Sequence, residues 1–401
     1  MKFSYLFCLL FVCASCIQNK PPAKATNDTV SAEPVVKDSV VYYPIKDNRI
    51  AVDLKKPQQA SLFDYFRRIE LIPLETSNKA LIGYVGKIIF HQNRFYVFDE
   101  QQRILLVFDE SGKFIQQIGR GGQGPGEYLI LGDIFINPFN GYVELLDWMG
   151  WILRYDLSGK FIERTARICK PSTDRSTLTA VHYFTAISEK KYVFFAGAYH
   201  YRIIYFDMNE GAIVREEFSY DKQRVMYLPC FYEYHGQWYF YFRYSNQVYE
   251  IGQDSLRNGY VYDFGKLTYD MNKMTYFDGY EHKSLDEGRE IMGRIPYRMS
   301  YQGQNNRYVM AELLVSGEKY ANVMYDKSMQ ESKYVEKFDE VDRFCPYIVT
   351  NEYVLSYCKH GELPDYVSKE ILDEQNRQKY EKLINTVGEE LNPVIIKYYF
   401  K

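Results

Sequence analysis

The stretch Asn93–Tyr128, NRFYVFDEQQRILLVFDESGKFIQQIGRGGQGPGEY, decides the fold. It reads as three short strands with two tight turns, closed by a glycine-rich link. A second version follows at once as Gly141–Arg164, GYVELLDWMGWILRYDLSGKFIER. Phe108-Asp109-Glu110-Ser111-Gly112-Lys113-Phe114-Ile115 aligns with Tyr155-Asp156-Leu157-Ser158-Gly159-Lys160-Phe161-Ile162, a period of 47 residues from Asp109 to Asp156. Asp at a strand end with Gly three positions on makes a hairpin turn, because Gly takes positive φ without a Cβ clash. Upstream, Tyr96-Val97-Phe98-Asp99 matches Glu144-Leu145-Leu146-Asp147. A whole strand–turn–strand unit therefore repeats, which at this period and with a β pattern marks a propeller blade rather than a solenoid or a chance hairpin.

Working outward, Val85–His91 opens the first blade and Ile130–Asn137 the second. A third blade is read from Tyr192–Phe195 and Ile203–Asp207. A fourth comes from Trp238–Tyr244, Gln247–Ile251 and Tyr260–Gly265, and a fifth from Tyr308–Glu312 and Tyr320–Asp326. The sixth starts at Tyr347 and includes Tyr353–Tyr357. The Trp238 strand is apolar on both faces; radially packed blades bury both, whereas a half-exposed strand alternates. The strand Arg68–Leu74 and the final segment Asn392–Phe400 are expected to share one blade and so close the ring, since an unpaired apolar terminal strand invites aggregation. Asp270–Arg294, with a helix-like run at Leu285–Arg294, and helix-like Val367–Val387 break the β pattern as insertions. The expected fold is all-β: a six-bladed β-propeller with N- and C-terminal strands closing one blade, plus short helical insertions.

The N-terminus reads as an address. In MKFSYLFCLLFVCASCIQNK, Lys2 precedes an apolar segment, Phe3–Val12, too short to span a bilayer. Cys13-Ala14-Ser15-Cys16 resembles a bacterial lipoprotein signal with Cys16 as lipid acceptor; an ordinary secretory signal is the alternative. Residues 1–16 are thus signal and acceptor, 17–45 a disordered tether, and 46–401 the propeller. The tether is rich in Pro, Ala, Thr, Lys and Asp without periodicity. Within it, Asp28-Thr29-Val30 and Asp38-Ser39-Val40 look like O-glycosylation triplets.

Composition bounds the partners. The 401 residues carry a net charge of −3, so no basic face is implied and nucleic acid is not an expected partner. Aromatic content is 17%, with 40 Tyr and 26 Phe, which suits strands packed on both faces and also supplies stacking surfaces. Cys169, Cys230, Cys345 and Cys358 lack CxxC spacing and serve either as two disulfides or as buried thiols.

Ile72-Pro73-Leu74-Glu75-Thr76, Ile82-Gly83, Phe108-Asp109 with Gly112-Lys113-Phe114, and Gly119–Tyr128 together resemble the six-bladed β-propeller lipoproteins of Gram-negative anaerobes, relatives of NHL-repeat propellers. Gly122-Gln123-Gly124-Pro125-Gly126-Glu127-Tyr128 looks like the NHL-type link between blades, with Tyr128 in place of Phe. The resemblance implies fold and envelope location. It implies no activity. Ile17-Gln18-Asn19-Lys20, after Cys16, lack the acidic run that looks like a surface-export signal, so the periplasmic side of the outer or inner membrane is expected rather than the cell surface.

Chemistry-bearing patterns are sparse. The glycine-rich link lacks the Lys-Ser/Thr end and strand-to-helix setting of a phosphate loop. His91, His182, His200, His235, His282 and His360 have no HxH or HExxH spacing, so no metal or cofactor is expected. Glu127, Asp133, Asp147 and Glu233 sit near strand ends, where carboxylates form turns or, paired, act on sugars. Arg120, Gln123, Glu127, Arg154, Arg202 and Arg243 are the candidates for holding a ligand over the central channel. The expected function is a membrane-anchored, monomeric, non-catalytic module for a protein or glycan ligand. The alternative is an envelope hydrolase or lyase acting on glycan or peptide at the channel mouth.

Overall fold

The computed structural model describes residues 35–37, 40–165, 167–168, 181–196, 201–219, 231–243, 245–268, 296–315, 319–386 and 391–401. Six sheets, each with at least four strands, form the blades of a β-propeller. Blade 1 is Val85–His91, Arg94–Asp99, Ile104–Asp109 and Phe114–Ile118. Blade 2 is Leu131–Ile136, Val143–Asp147, Ile152–Tyr155 and Phe161–Arg164. Blade 3 is Val181–Ala186, Lys191–Ala196, Tyr201–Asp207 and Ala212–Ser219. Blade 4 is Phe231–Tyr234, Gln237–Tyr241, Gln247–Ile251 and Leu256–Asp263. Blade 5 is Tyr297–Gln304, Tyr308–Val315, Lys319–Asp326 and Glu331–Val335. The first strand of each blade is the innermost, and such strands touch between blades 1 and 2, 2 and 3, 4 and 5, and 5 and 6.

Blade 6 closes the ring. Ile348–Val349, Tyr353–Cys358 and Val394–Phe400 come from the end of the chain; Phe66–Pro73 supplies the outermost strand from its beginning. The register runs antiparallel from Val394 opposite Pro73 to Phe400 opposite Phe66. Circular closure pairs Val394–Phe400 on both sides and leaves Phe66–Pro73 with a single outer edge.

The two-sided apolar strands are explained by the seams. Among the described residues, the buried side chains divide into six clusters, one per junction between neighbouring blades. Tyr96, Phe98, Leu105 and Val107 face blade 2, while Phe95, Val97, Leu106 and Phe108 on the same strands face blade 6. Period-two alternation sends successive residues to opposite faces, and here both faces are interior.

The turns that revealed the repeat are near-superposable in chemistry. Asp109 Oδ1 accepts from Ser111 N at 2.9 Å and Lys113 N at 3.0 Å; Asp156 Oδ1 accepts from Ser158 N at 2.9 Å and Lys160 N at 3.0 Å. Gly112 and Gly159 take φ of 88° and 85°, the left-handed region these turns require.

Two expectations change. The fourth-blade strand ends at Tyr241, not Tyr244, because Phe242 O accepts from Ser245 N at 3.1 Å and turns the chain. The tether read over 17–45 ends earlier: Val35–Lys37 pairs with Val40–Tyr42 as a hairpin, and the chain beyond it straps the outside of the ring. Arg49–Ala51 adds a fifth, parallel strand to blade 4, Tyr43 N donates to Asn306 O at 3.3 Å, and Gln58 N donates to Tyr334 O at 2.8 Å. Ile45, Ile50 and Val52 are buried in the blade 4–5 seam, the apolar gain that offsets ordering this segment. The expected insertion at Asp270–Arg294 lies outside the described residues, as do Asp28-Thr29-Val30, Cys169, Cys230, His200 and His282.

Candidate functional site

Up-and-down strands put the described blade-to-blade links, and the described turns between second and third strands, at one end of the ring. Residues 359–393 of blade 6 occupy such a turn position, where blades 1 and 2 use only residues 100–103 and 148–151. This insertion, expected over 367–387, contains the helix Glu374–Ile384, capped by Asp373, whose Oδ1 accepts from Asn376 N at 2.9 Å. Asn376 Oδ1 accepts from Leu71 N and Lys379 Nζ donates to Leu71 O, both at 2.9 Å, so the helix covers the exposed edge of the closing strand.

Two carboxylates hold the links of blades 1 and 2. Asp99 is fully buried and accepts from Gly83 N (2.7 Å), Tyr84 N (3.2 Å), Gln101 N (2.9 Å) and Gln102 N (3.1 Å). Asp147 accepts from Leu129 N and Met149 N, both at 2.6 Å. In each blade the second strand therefore ends in an Asp that fastens the incoming link. The fastened links expose Leu81, Tyr84, Leu129 and Ile130 at 43%, 49%, 47% and 40%. Gln102 and Arg103 lie between the two links: Gln102 Nε2 donates to Leu81 O at 2.5 Å, and Arg103 Nη1 to Leu131 O at 3.4 Å.

At the axis, Lys87 of blade 1 reaches blade 2. Its Nζ donates to Asp133 Oδ1 (2.9 Å), Asp133 Oδ2 (3.0 Å) and Ile134 O (2.8 Å), and Asp133 Oδ2 also accepts from Phe184 N of blade 3 at 3.1 Å. Burial raises the Asp133 pKa, with Lys87 opposing it. Tyr347 links blades 6 and 1 by accepting from Ile88 N at 2.8 Å. These groups are engaged in joining inner strands, which fixes the ring's bore.

The residues singled out in the sequence do not form one cluster. Arg120 and Glu127 do meet, on the link between blades 1 and 2: Arg120 Nε to Glu127 Oε1 is 2.6 Å, and Gly124 N donates to Glu127 Oε2 at 2.8 Å. These bonds, Gly124 first and then Arg120, lower the Glu127 pKa. Gln123 is exposed on the same link. Gly126, at φ 73°, packs on the Phe161 ring where a Cβ would clash, so a glycine is needed there. Arg154 is instead buried within blade 2, with Nε 2.8 Å from Glu144 Oε1, Nη1 2.5 Å from Glu163 Oε1 and Nη2 3.0 Å from Tyr192 Oη. Arg243 is buried at blade 4, its Nε 3.3 Å from Met299 O. Arg202 lies on the third strand of blade 3, and its side chain, like that of His182, is outside the described residues.

The remaining candidates play structural parts. Glu233 accepts from Gly236 N in a turn. His235 Nε2 meets Asn306 Oδ1 at 2.5 Å and packs on Tyr42, while His360 Nε2 meets Leu383 O at 2.6 Å. Cys345 and Cys358 are free, buried thiols. Among the described residues no group of three or more His, Cys, Asp or Glu could hold a metal ion. Sequence reasoning missed Lys87, whose signal was a lone cation inside an otherwise apolar inner strand, and the pair of buried Glu312 with half-buried Arg343, Oε1 to Nε 3.2 Å, in the blade 5–6 seam.

Residues 47–399 match the family described as "Domain of unknown function (DUF4934)". The chain belongs to that family. The DUF4934 match begins within the strap and includes its strand Arg49–Ala51. No curated protein matches the chain. A solved protein from Bacteroides fragilis NCTC 9343, provisionally described as exported, is similar in fold at TM-score 0.63 and 16% identity, covering 88% of this chain and 99% of that one. A member of the duf4221 family from Bacteroides vulgatus aligns at TM-score 0.49 and 12% identity over 84% of this DUF4934 chain and 97% of its own.

Proposed function

We propose that this protein is a lipid-anchored module of the cell envelope that binds a protein or glycan at the link-bearing end of its ring, without catalysis. The observation that carries this reading is the exposure of Leu81, Tyr84, Leu129 and Ile130 on two firmly held links, beside an axial pair, Lys87–Asp133, already satisfied by protein groups. A rigid ring that presents apolar side chains on fixed loops is suited to recognition. In this reading residues 1–16 are a lipoprotein signal ending at the acceptor Cys16, a tether leads to the strap, and the protein works as a monomer on the periplasmic side of a Gram-negative envelope. The resemblance of Gly122–Tyr128 to NHL-type links supports kinship with envelope propellers.

The anchor is tested by metabolic labelling with a fatty-acid probe: wild type takes label and Cys16→Ala does not, whereas equal labelling of both rules out Cys16 as the site. Binding is tested on peptide and glycan arrays, with hits expected to weaken on Tyr84→Ala and Leu129→Ser. Hits indifferent to every change at the link-bearing end contradict the reading.

A further inference from the structure

The apolar rim adjoins an unusual concentration of arginine and tryptophan. Two of the protein's three tryptophans, Trp148 and Trp151, stand on the single turn between the second and third strands of blade 2. Three guanidiniums lie over their rings: Arg103 over Trp148 at 4.8 Å, and Arg164 and Arg167 over Trp151 at 4.8 and 5.0 Å. Arg103 belongs to the corresponding turn of blade 1, so the cluster bridges two blades. Arg167 is held in place by Nε donating to Met149 O at 2.6 Å, and its Nη2, shut off from solvent, has no acceptor. Among the described residues no carboxylate pairs with Arg103, Arg164 or Arg167, although Arg154 and Arg120 nearby are each paired. The same turn binds the rim directly, since Trp148 N donates to Ile130 O at 3.0 Å.

From this arrangement we infer that the Trp148–Trp151 turn, with Arg103, Arg164 and Arg167 and the flanking Leu129 and Ile130, docks an acidic polypeptide segment of a partner protein. The inference rests on the binding-module reading and names its site and occupant. Charge complementarity sets the sign: three cations with no carboxylate partner among the described residues, in a chain of net charge −3, call for carboxylates, and arginine presents a planar fork that receives them bidentately. Composition sets the class. Trp and Arg dominate the energy of protein interfaces, and exposed Leu and Ile beside them suit apolar side chains of a peptide better than a hydroxyl-covered sugar. Stacking on indole pre-orders the guanidiniums and lowers the entropy lost when a carboxylate arrives.

The test is selection of a random dodecapeptide display library on the full chain, followed by titration of synthetic copies. Selected peptides are expected to carry net negative charge with interspersed Leu, Phe or Trp. Affinity should fall at least tenfold for Arg164→Ala/Arg167→Ala, weaken steeply with added salt, and recover only partly in Arg164→Lys/Arg167→Lys. Arg164 is exposed, so Arg164→Ala should keep the wild-type thermal midpoint and serve as the folded control. Neutral or basic peptides, or acidic ones that bind the double variant as tightly as wild type, overturn the inference while leaving a binding module with its site elsewhere. Binding of oligogalacturonate through these arginines, with acidic peptides inert, overturns the polypeptide occupant alone. Failure of every peptide and glycan probe at this end overturns the inference and the module reading together.

Discussion

Blade 2 and blade 6 have the same four-stranded form but are assembled differently. Blade 2 is one continuous meander over residues 131–164, and the carboxylate that holds its link, Asp147, closes its own second strand. Blade 6 draws strands from both ends of the chain and carries residues 359–393 between its second and third strands. The buried acids beside them also differ. Glu144 of blade 2 is fully surrounded: Oε1 accepts from Arg154, Tyr192 (2.7 Å) and Asn140 (3.1 Å), and Oε2 lies 3.3 Å from Asn137 Nδ2. Glu312, in the seam that blade 6 shares with blade 5, pairs through Oε1 with Arg343, and its Oε2 has no partner. Glu144 is satisfied by groups of its own blade together with Tyr192 of blade 3. Glu312 sits on the meander of blade 5 and faces the seam with blade 6, where one of its oxygens is left without a partner.

The largest effect should come from removing the non-local strand. Deleting residues 394–401 takes away a central strand of blade 6 and unpairs Phe66–Pro73, so the cooperative unfolding transition should vanish; a retained sharp transition would show that the ring does not need this strand. Next, Asp99→Ala takes the acceptor from four backbone N–H groups and should cost about 4 kcal/mol, against about 2 kcal/mol for Asp147→Ala with its two. Denaturant midpoints of both variants check the ordering.

Glu312 adds a pH signature absent from a seam without such an acid. Burial, opposed by Arg343, raises its pKa from 4.5 to about 7. Tyr301, directly across the strand pair, Arg343 and Cys345 in the adjoining link, and Arg243 from blade 4 are the titratable or charged groups around it. The folded protein holds this proton more tightly than the unfolded chain. Its stabilising contribution is complete below about pH 4.5 and is lost as pH rises through about 7, a change on the order of 3 kcal/mol. The stability of wild type relative to Glu312→Gln should therefore fall across that window and stay flat above it; a difference independent of pH contradicts the assignment.

The smallest effect compares twin turns. Gly112 and Gly159 share their backbone conformation, but a Cβ on Gly112 meets the Pro73 carbonyl of the closing strand, whereas on Gly159 it meets only the Gln116 side chain. Gly159→Ala should cost about 1 kcal/mol and Gly112→Ala about 2–3 kcal/mol. Equal losses would mean that Gly112 does not back onto blade 6.

The same contrast explains what the sequence made legible. Asp109–Gly112 and Asp156–Gly159 revealed the blades because a hairpin turn is decided by residues adjacent in the chain. Ring closure by Arg68–Leu74 and Asn392–Phe400 was accessible through the need to cover apolar edges. The strap was not: Ile45, Ile50 and Val52 lie in a polar stretch and gain apolar neighbours only from blades 4 and 5. Arginine chemistry was equally opaque. Arg154 and Arg164 look alike in sequence, yet one is buried against Glu144 and the other lies over Trp151, because only the fold decides which face each presents.

The central claim is that the two ends of the chain pair in blade 6 at a defined register. It is tested most directly by joining paired positions in Glu70→Cys/Lys397→Cys, which face each other across that ladder. The account predicts a disulfide formed in high yield within the monomer, with a raised unfolding temperature that returns to the uncrosslinked value on reduction. Failure to form the bond, or its formation only between separate molecules, would contradict it.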